Sequence, residues 1–339
     1  MKLIIHIGAH KTASSLIQKN LERLGTCLLE RKVHYPTVQK GIISHHDMAK
    51  LLNQGKTNQL KKYLNQIIAE AKSNESNQIL LSSEMFSLNQ NEAPLPDEIS
   101  SKFEEVTVIC YTRNQLDLLD SLYNQNVKSA AVRYKHDIET FFHESKFSER
   151  YDYNSILKQW KNINSPTNVI FIPFEESDNP TKSLLTQGLN LDSSILKSIK
   201  HEAQKGPLIN KSLNNSLIPL LRYSNTKETP QALHKYIVRQ LKAKEIRTNY
   251  TLISQQLAKQ VESHFAPLNA QLNQSQGYNA VTETSKHSKK VILNESIEVD
   301  EKELTNLLTI AKRKLSKHRN TSRSRKANLS KPNKRPLNK

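Results

Sequence analysis

Cysteine is scarce in this sequence of 339 residues, which contains only Cys27 and Cys110. Two cysteines form neither a disulfide framework nor the ligand pattern of a zinc site, and their scarcity is typical of a protein from a reducing cytosol. Long hydrophobic runs are missing as well. No run reaches the roughly 18 apolar residues that a membrane span needs, and the first run is too short for the core of a signal peptide. These absences predict a cytoplasmic chain without a membrane span.

Acidic and aromatic residues are both missing from residues 312–339, although 12 of these residues are Lys or Arg. Because this segment is also rich in Ser and Asn, we predict a disordered basic tail. Two interpretations remain open: the tail contacts polyanions such as nucleic acid, acidic glycan or a membrane surface, or it is a solvating segment without a specific partner. Without an aromatic side chain to stack on bases, specific recognition of single strands is poorly supported.

A short apolar run near the start of the chain leads into a loop of small and hydroxyl residues. Residues 3–7 (LIIHI) fit a buried strand, and apolar residues recur at helical spacing from residue 16 to residue 24. The loop between them, residues 8–15 (GAHKTASS), contains one lysine and three hydroxyl side chains. A strand, a small-residue loop and a helix direct free backbone N–H groups at an anion, and Lys11 adds a positive charge. The loop is either a phosphate-binding loop or an ordinary turn with a solvated lysine.

This loop does not match the Walker A motif, which requires G-x-x-x-x-G-K-[ST]. Lys11 follows Gly8 by only three residues, and no second glycine precedes the lysine. The spacing therefore counts against a kinase or a nucleotide hydrolase of the Walker type.

Further apolar runs predict strands at residues 33–36, 79–81, 106–111 and 168–174. Segments with helical periodicity separate them, and beyond residue 181 the chain is mostly helical and polar. Strands that alternate with helices predict a parallel sheet with helices on both faces. Residues 129–150, which are polar but contain several aromatic side chains, predict an insertion or lid between core elements.

Two charged residues directly follow predicted strands. Glu84 follows the strand at 79–81, and Arg113 follows the strand at 106–111. Open α/β sheets bind ligands at the carboxyl ends of their strands, so Lys11, Glu84 and Arg113 are expected at one edge of the sheet. The alternatives are that Glu84 is a helix cap or surface acid and that Arg113 pairs with a nearby acid such as Asp117.

His45, His46 and Asp47 form a cluster that invites a metal interpretation. Their spacing lacks the i, i+4 pattern of a zinc helix and no further ligand is evident, so we predict no metal. Asp47 is instead predicted to cap a helix. A contact between His45 or His46 and a substrate remains open.

Two stretches resemble the P-loop-like sulfotransferases that use 3′-phosphoadenosine 5′-phosphosulfate (PAPS), most of all bacterial members and more distantly carbohydrate sulfotransferases. Residues 6–15 resemble the family's 5′-phosphosulfate loop, in which a lysine precedes small and hydroxyl residues. Residues 111–123, with Arg113 followed eight residues later by Ser121, resemble its 3′-phosphate motif. The resemblance covers residues 1–174 and, loosely, 205–222. It implies a P-loop-like three-layer sandwich with a central parallel sheet, followed by a helical C-terminal portion.

The resemblance implies a set of site residues for PAPS. The 5′-phosphosulfate would be held by Gly8, Ala9, His10, Lys11, Thr12, Ala13, Ser14 and Ser15, and the 3′-phosphate by Arg113 and Ser121. Lys205 would match a basic loop that closes over the donor. Ala13 departs from the family, where glycine is common, and alanine fits the loop only if its φ is negative.

The implied chemistry is transfer of a sulfuryl group from PAPS to an acceptor hydroxyl, without a metal. Lys11 would stabilise the charge that develops on the leaving phosphate oxygen, and Glu84 would act as the general base. His10, His45 and His46 are alternative bases. Carbohydrate is the preferred acceptor, because Glu84 resembles the base of the glycan-modifying branch and the aromatic residues of 129–150 could stack on sugar rings.

The predicted organisation is a sulfotransferase domain at residues 1–280, a linker and charged helix at 281–311, and the basic tail at 312–339. Two other functions compete with this one. The first is a P-loop kinase or nucleotide hydrolase, and the second is a non-catalytic polyanion-binding protein in which the basic tail binds the partner. The sequence does not indicate an oligomeric state.

Overall fold

The computed structural model describes residues 1–36, 44–88, 95–174, 179–198, 213–226, 231–243, 250–283, 285, 290–292 and 309. These residues fall into two compact units. The first takes those within Met1–Leu122, Phe142–Lys211 and Gln255–Ser288, and the second takes those within Tyr123–Phe141, Ser212–Ser254 and Lys289–Lys339.

A five-stranded, entirely parallel sheet forms the centre of the first unit. Its strands are β1 (Lys2–His6), β2 (Val33–His34), β3 (Gln78–Ser82), β4 (Glu105–Thr112) and β5 (Thr167–Pro173). They lie in the order β2-β3-β1-β4-β5. Strands of a parallel sheet are buried on both faces, which is why β1, β3 and β4 read as nearly continuous apolar runs.

The described α-helices follow the chain as α1 (Ser14–Arg23), α2 (Gly25–Leu29), α3 (His46–Asn53), α4 (Thr57–Ser73), α5 (Asp97–Ser100), α6 (Gln115–Lys128), α7 (Ile138–Glu144), α8 (Phe147–Arg150), α9 (Tyr153–Lys161), α10 (Pro180–Ser183), α11 (Ile218–Thr226), α12 (Gln231–Ala243) and α13 (Gln255–Gln276). Short 3₁₀ turns cover Glu84–Leu88, Ser193–Ser198 and Asn215–Leu217, and Leu184–Gly188 forms a π-helical turn.

Alternate residues of the strands build two separate cores, one on each face of the sheet. On one face, Leu3 and Ile5 belong to a core that also includes buried residues of α3, α4, α5, α9 and α13. On the other face, Ile4 and Leu80 share a core with buried residues of α1 and α2 and of the turn Leu184–Gly188. The first unit is therefore an α/β structure in which helices cover both faces of a parallel sheet.

The strand order creates a crevice at the carboxyl edge of the sheet. After β1 the chain moves toward β2 on one side, whereas after β4 it moves toward β5 on the other side. Because β1 and β4 are neighbours, the loops that follow them diverge, and such switch points are where open α/β sheets bind their ligands. The crevice is lined by the loop after His6 and by the residues after Thr112.

The second unit contains helices α11 and α12 and a two-stranded parallel sheet of β6 (Tyr250–Thr251) and β7 (Val291–Ile292). An aromatic cluster lies within it: the ring centroid of Tyr123 is 6.1 Å from that of Tyr134 and 5.7 Å from that of Phe141. Residues 129–150, predicted as an insertion, are divided between the two units.

The sequence predicted the α/β class and the parallel sheet, and both predictions are confirmed. One local prediction is wrong. Asp47 does not cap α3, because the N-cap residue is His45, and the Asp47 carboxylate pairs with Lys50 at 3.1 Å. The loop around Lys205, most of residues 284–311 and the tail at 312–339 lie outside the described residues. Among those that are described, no helix has the length and apolar character to cross a membrane.

Candidate functional site

The loop that follows β1 continues alongside β4 before it turns into α1. The backbone N–H of Ile7 donates to the Ile109 oxygen at 2.9 Å, and that of Ala9 donates to the Tyr111 oxygen at 3.0 Å. The Thr12 hydroxyl, which is fully buried, closes the loop by donating to the Ala9 oxygen at 2.6 Å. A hydroxyl has a single proton, so in this conformation Thr12 can serve an anion only through its backbone N–H.

Three residues of this loop have positive φ: Gly8 at 23°, Lys11 at 67° and Ala13 at 60°. The expectation that alanine at position 13 requires negative φ is therefore wrong. Ala13 takes the left-handed conformation as the residue that precedes α1, at a cost of about 1–2 kcal/mol relative to a right-handed residue. The tight turn into α1, where Leu16 and Ile17 both donate to the Ala13 oxygen, imposes this conformation.

Gly8 lies against two buried polar atoms that lack a hydrogen-bond partner within the described part of the chain. A Cβ placed on Gly8 would lie 2.9 Å from His6 Nε2 and 2.9 Å from Ser14 Oγ. Thr12 Oγ1 would be 3.4 Å away. Buried polar groups are normally hydrogen-bonded, so these two atoms leave an unsatisfied polar spot directly beside the loop.

Helix α1 begins in this loop without a side-chain cap within the described residues. The N–H groups of its first turn, at Ser14 and Ser15, therefore point into the carboxyl edge of the sheet together with the positive end of the helix dipole. Ser14 is buried and Ser15 and Lys11 are half-buried. The start of the helix and the lysine together favour an anion.

Arg113 joins the two motifs that the sequence singled out. Its Nη1 donates to the Lys11 oxygen at 3.0 Å, although the two residues are 102 positions apart. Its guanidinium carbon lies 5.6 Å from the centre of the Phe174 ring, and its backbone N–H donates to the Tyr153 hydroxyl at 3.0 Å. The arginine is thus held from three sides beside the loop.

Ser121 is half-buried at the seventh residue of α6, which starts two residues after Arg113. The structure gives its position on the helix and no contact that ties it to Arg113. Its proposed role at a 3′-phosphate remains a prediction.

Glu84 begins the 3₁₀ turn directly after β3 and is held from both sides. Gln18 of α1 donates from Nε2 to one Glu84 carboxylate oxygen at 3.3 Å. His46 of α3 places its Nε2 3.8 Å from the other carboxylate oxygen. The Glu84 side chain is 21% exposed, so the carboxylate is confined but reachable.

The other nitrogen of His46 contacts the residue before Glu84. His46 Nδ1 is 2.7 Å from Ser83 Oγ, which also accepts the backbone N–H of Met85 at 3.1 Å. Glu84, His46 and Ser83 are the residue types of a hydrolytic triad, but Ser83 is completely buried. A buried hydroxyl cannot reach a substrate carbonyl, so Ser83 orients His46.

His45, which the sequence left open as a substrate contact or base, has a structural role. It is completely buried, its Nδ1 accepts the backbone N–H of Ser82 at 3.0 Å, and its Nε2 lies 3.3 Å from the Pro36 oxygen. The first contact holds the end of β3 against the start of α3, and the second ties the ring to the residue two positions after β2.

The pKa values of two other histidines at this edge are lowered, which favours their neutral forms. Burial lowers the pKa of His6 to about 4. Burial also lowers the pKa of His10, and the positive charges of Arg150 and Lys11 lower it further, while Glu84 acts in the opposite direction. Arg150 is therefore close enough to His10 for its charge to act on the imidazole. Its guanidinium lies over the Tyr151 ring at 5.8 Å.

The structure brings together Lys11, Glu84 and Arg113 at one edge of the sheet, as the sequence predicted from their positions after strands. Lys205 lies outside the described residues. Within them no group of three or more His, Cys, Asp or Glu is arranged to hold a metal ion. Sequence reasoning missed Gln18, Phe174 and Arg150. Gln18 offered one signal, because it is a polar residue one turn after Ser14 and follows Ile17 on the buried side of α1.

Comparison with protein-family models, with curated proteins and with solved structures finds no match to this chain.

Proposed function

We propose that the chain is a sulfotransferase that moves a sulfuryl group from PAPS to an acceptor hydroxyl. The observation that carries this proposal is the hydrogen bond between Arg113 Nη1 and the Lys11 oxygen at 3.0 Å. This bond joins the two stretches that resemble the family's 5′-phosphosulfate and 3′-phosphate motifs. A nucleotide with phosphates at both positions is the ligand that needs both motifs at once.

The loop residues fit the 5′ end of such a ligand. Helix α1 begins in this loop without a side-chain cap among the described residues, so the N–H groups of its first turn are available. These groups suit an anionic phosphate or sulfate oxygen, and Lys11 adds a charge. Arg113 would hold the 3′-phosphate, where a planar guanidinium offers several donors.

Two residues at the edge of the sheet have different roles in this reaction: Lys11 acts on the leaving group and Glu84 acts on the acceptor. PAPS supplies a sulfuryl group already attached to a good leaving group. Lys11 stabilises the negative charge on the leaving oxygen, and Glu84 accepts the proton of the acceptor hydroxyl. Glu84 fits this role because its carboxylate is confined by Gln18 yet 21% exposed.

A hydroxyl of a carbohydrate is the acceptor that we propose. The support is the resemblance of Glu84 to the base of carbohydrate sulfotransferases. Arg150 adds a positive charge near His10 and has no ion-pair partner in the described part of the chain. An acceptor with a negative charge would therefore be favoured over a neutral one.

Titration with adenosine 3′,5′-bisphosphate tests the donor site. A ligand that binds only the folded state stabilises it by about 2.7 kcal/mol at 100 times its Kd, so the melting temperature of the wild-type chain should rise by several degrees. ATP and adenosine 5′-phosphate, each of which lacks the 3′-phosphate, should give much smaller shifts. Lys11→Ala and Arg113→Ala should each weaken binding by about 10- to 100-fold, because each removes a charged donor.

Lys102→Ala and Arg31→Ala are matched controls, since they remove the same charges from residues that precede β4 and β2 at the opposite edge of the sheet. They should bind the bisphosphate like the wild type. Unchanged binding in Lys11→Ala and Arg113→Ala would overturn the site assignment. A shift only with ATP and magnesium would favour a kinase or nucleotide hydrolase instead.

A further inference from the structure

The residues around Glu84 indicate how its carboxylate is aimed. Glu84 lies between Gln18 at 3.3 Å and His46 at 3.8 Å, and each contacts a different carboxylate oxygen. Gln18 is 1% exposed and comes from α1, whereas His46 comes from α3. Two helices on different faces of the sheet thus determine the orientation of one side chain.

The proton position on His46 follows from its contact with Ser83. Ser83 Oγ accepts the N–H of Met85 at 3.1 Å and lies 2.7 Å from His46 Nδ1. Because Ser83 is completely buried, its hydroxyl proton needs an acceptor, and Nδ1 is the atom within reach. With Nδ1 as acceptor, the neutral imidazole has its proton on Nε2, the atom that faces Glu84.

From this arrangement we propose that His46 is a positioning residue for Glu84. Ser83 holds the imidazole in the Nε2–H form, and the Nε2–H group then directs the Glu84 carboxylate toward the acceptor hydroxyl. The separation of 3.8 Å is longer than a hydrogen bond. Such contacts shorten when a substrate is bound. This inference rests on the proposed function in one respect: the proton that Glu84 accepts is that of the acceptor hydroxyl.

Two substitutions at position 46 separate the roles of the two ring nitrogens. The side-chain amide nitrogen of His46→Gln occupies nearly the place of Nε2 and keeps a donor toward Glu84. The amide of His46→Asn is shorter, keeps a partner for Ser83 and removes the donor toward Glu84. The rate to measure is the release of adenosine 3′,5′-bisphosphate from PAPS with water as acceptor, which also requires removal of a proton.

We expect His46→Gln to keep kcat within about threefold of the wild type and His46→Asn to lower it by about 10- to 100-fold, with KM for PAPS unchanged. In a Glu84→Gln background, His46→Asn should have no further effect, because residues that act through one another are not additive. Equal kcat for His46→Asn and the wild type, or additive losses in the double variant, would overturn the proposal. A merely structural role would affect His46→Gln as well.

A second readout does not depend on catalysis. ¹⁵N NMR of the full-length chain at pH 8 should show His46 with a protonated Nε2 and an unprotonated Nδ1, and Ser83→Ala should produce a mixture of the two tautomers. A wild-type His46 protonated on Nδ1 would refute the proposal even if the chain is a sulfotransferase. Failure to bind adenosine 3′,5′-bisphosphate, with the Nε2–H form observed, would instead refute the proposed function and leave the contact with Glu84 intact.

Discussion

At the scale of single residues, Gly8 is the position where the site tolerates the least change. Its φ is 23°, and a Cβ would lie 2.9 Å from both His6 Nε2 and Ser14 Oγ. Neither neighbour can move easily, because His6 is completely buried and Ser14 is 7% exposed. The loop therefore needs a glycine at its first position, because the backbone φ is positive and a Cβ has no room there.

We expect Gly8→Ala to lower the free energy of unfolding by about 1–3 kcal/mol, the cost of one strained backbone position. It should also weaken the binding of adenosine 3′,5′-bisphosphate by at least about tenfold, because the first turn of α1 must shift. Urea denaturation and the thermal-shift titration measure the two effects.

Gly25→Ala is the control for this substitution. No atom lies within 4 Å of a Cβ at position 25, and the residue starts helix α2. Alanine there should leave both stability and binding at least as favourable as in the wild type. If Gly8→Ala behaved like this control, the close packing around Gly8 would have no bearing on the site.

At the scale of elements, β1 ends in a buried histidine whose titration should be visible in the stability of the fold. His6 lies on the last position of the strand, and its Nδ1 is 2.8 Å from Ser82 Oγ on the neighbouring strand. Burial lowers its pKa from 6.5 to about 4. Between these two pH values the unfolded chain binds a proton at His6 that the folded chain does not, so stability falls as the pH drops through this window.

His6→Asn should reduce this pH dependence. Asparagine keeps a polar contact toward Ser82 and does not titrate. Between pH 7 and pH 4 the wild type should lose more stability than the variant, by up to about 3 kcal/mol, because each unit of pKa shift corresponds to about 1.4 kcal/mol. Urea denaturation at pH 4, 5, 6 and 7 measures the difference. The exposed His143 provides a control, since His143→Asn should keep the wild-type dependence, and equal curves for all three chains would contradict the prediction.

The strands and helices also show which features of the structure are predictable from the sequence and which are not. Strands β1, β3, β4 and β5 were predicted because they are short branched-aliphatic runs, and the edge that collects Lys11, Glu84 and Arg113 follows from parallel strands alone. The contacts of Gln18 and His46 with Glu84 were not predictable, since they depend on how α1 and α3 are rotated against the sheet. The positive φ of Ala13 was not predicted, because the turn into α1 overrides the preference of alanine.

At the scale of the whole molecule, charge is distributed unevenly along the chain. Of the net charge of +18, the 12 Lys and Arg residues of 312–339 contribute 12 positive charges without an opposing acid. Lys11 and Arg113, the charged residues of the proposed donor site, lie outside this segment. We therefore expect the proposed donor site to bind its ligand without the tail.

Removal of residues 312–339 tests this separation. The shortened chain should bind adenosine 3′,5′-bisphosphate within about threefold of the full-length affinity, since the charged donors of the site remain. It should elute from a heparin column at lower salt than the full chain, because most of the net positive charge is gone. A loss of bisphosphate affinity beyond tenfold would show instead that the tail is part of the working protein and would favour the polyanion-binding function.

The hydrogen bond from Arg113 to the Lys11 oxygen lowers the entropic cost of binding a ligand that contacts both loops. It connects two loops that are 102 residues apart and that would otherwise have to meet around the ligand. The entropy of bringing these loops together is lost once, on folding, and not at each binding event. The proposed donor site is thus preorganised for the ligand that we propose, which has two separated anionic groups. Substitutions that break this bond should therefore act mainly on the dissociation rate of the ligand, as most changes within one binding site do.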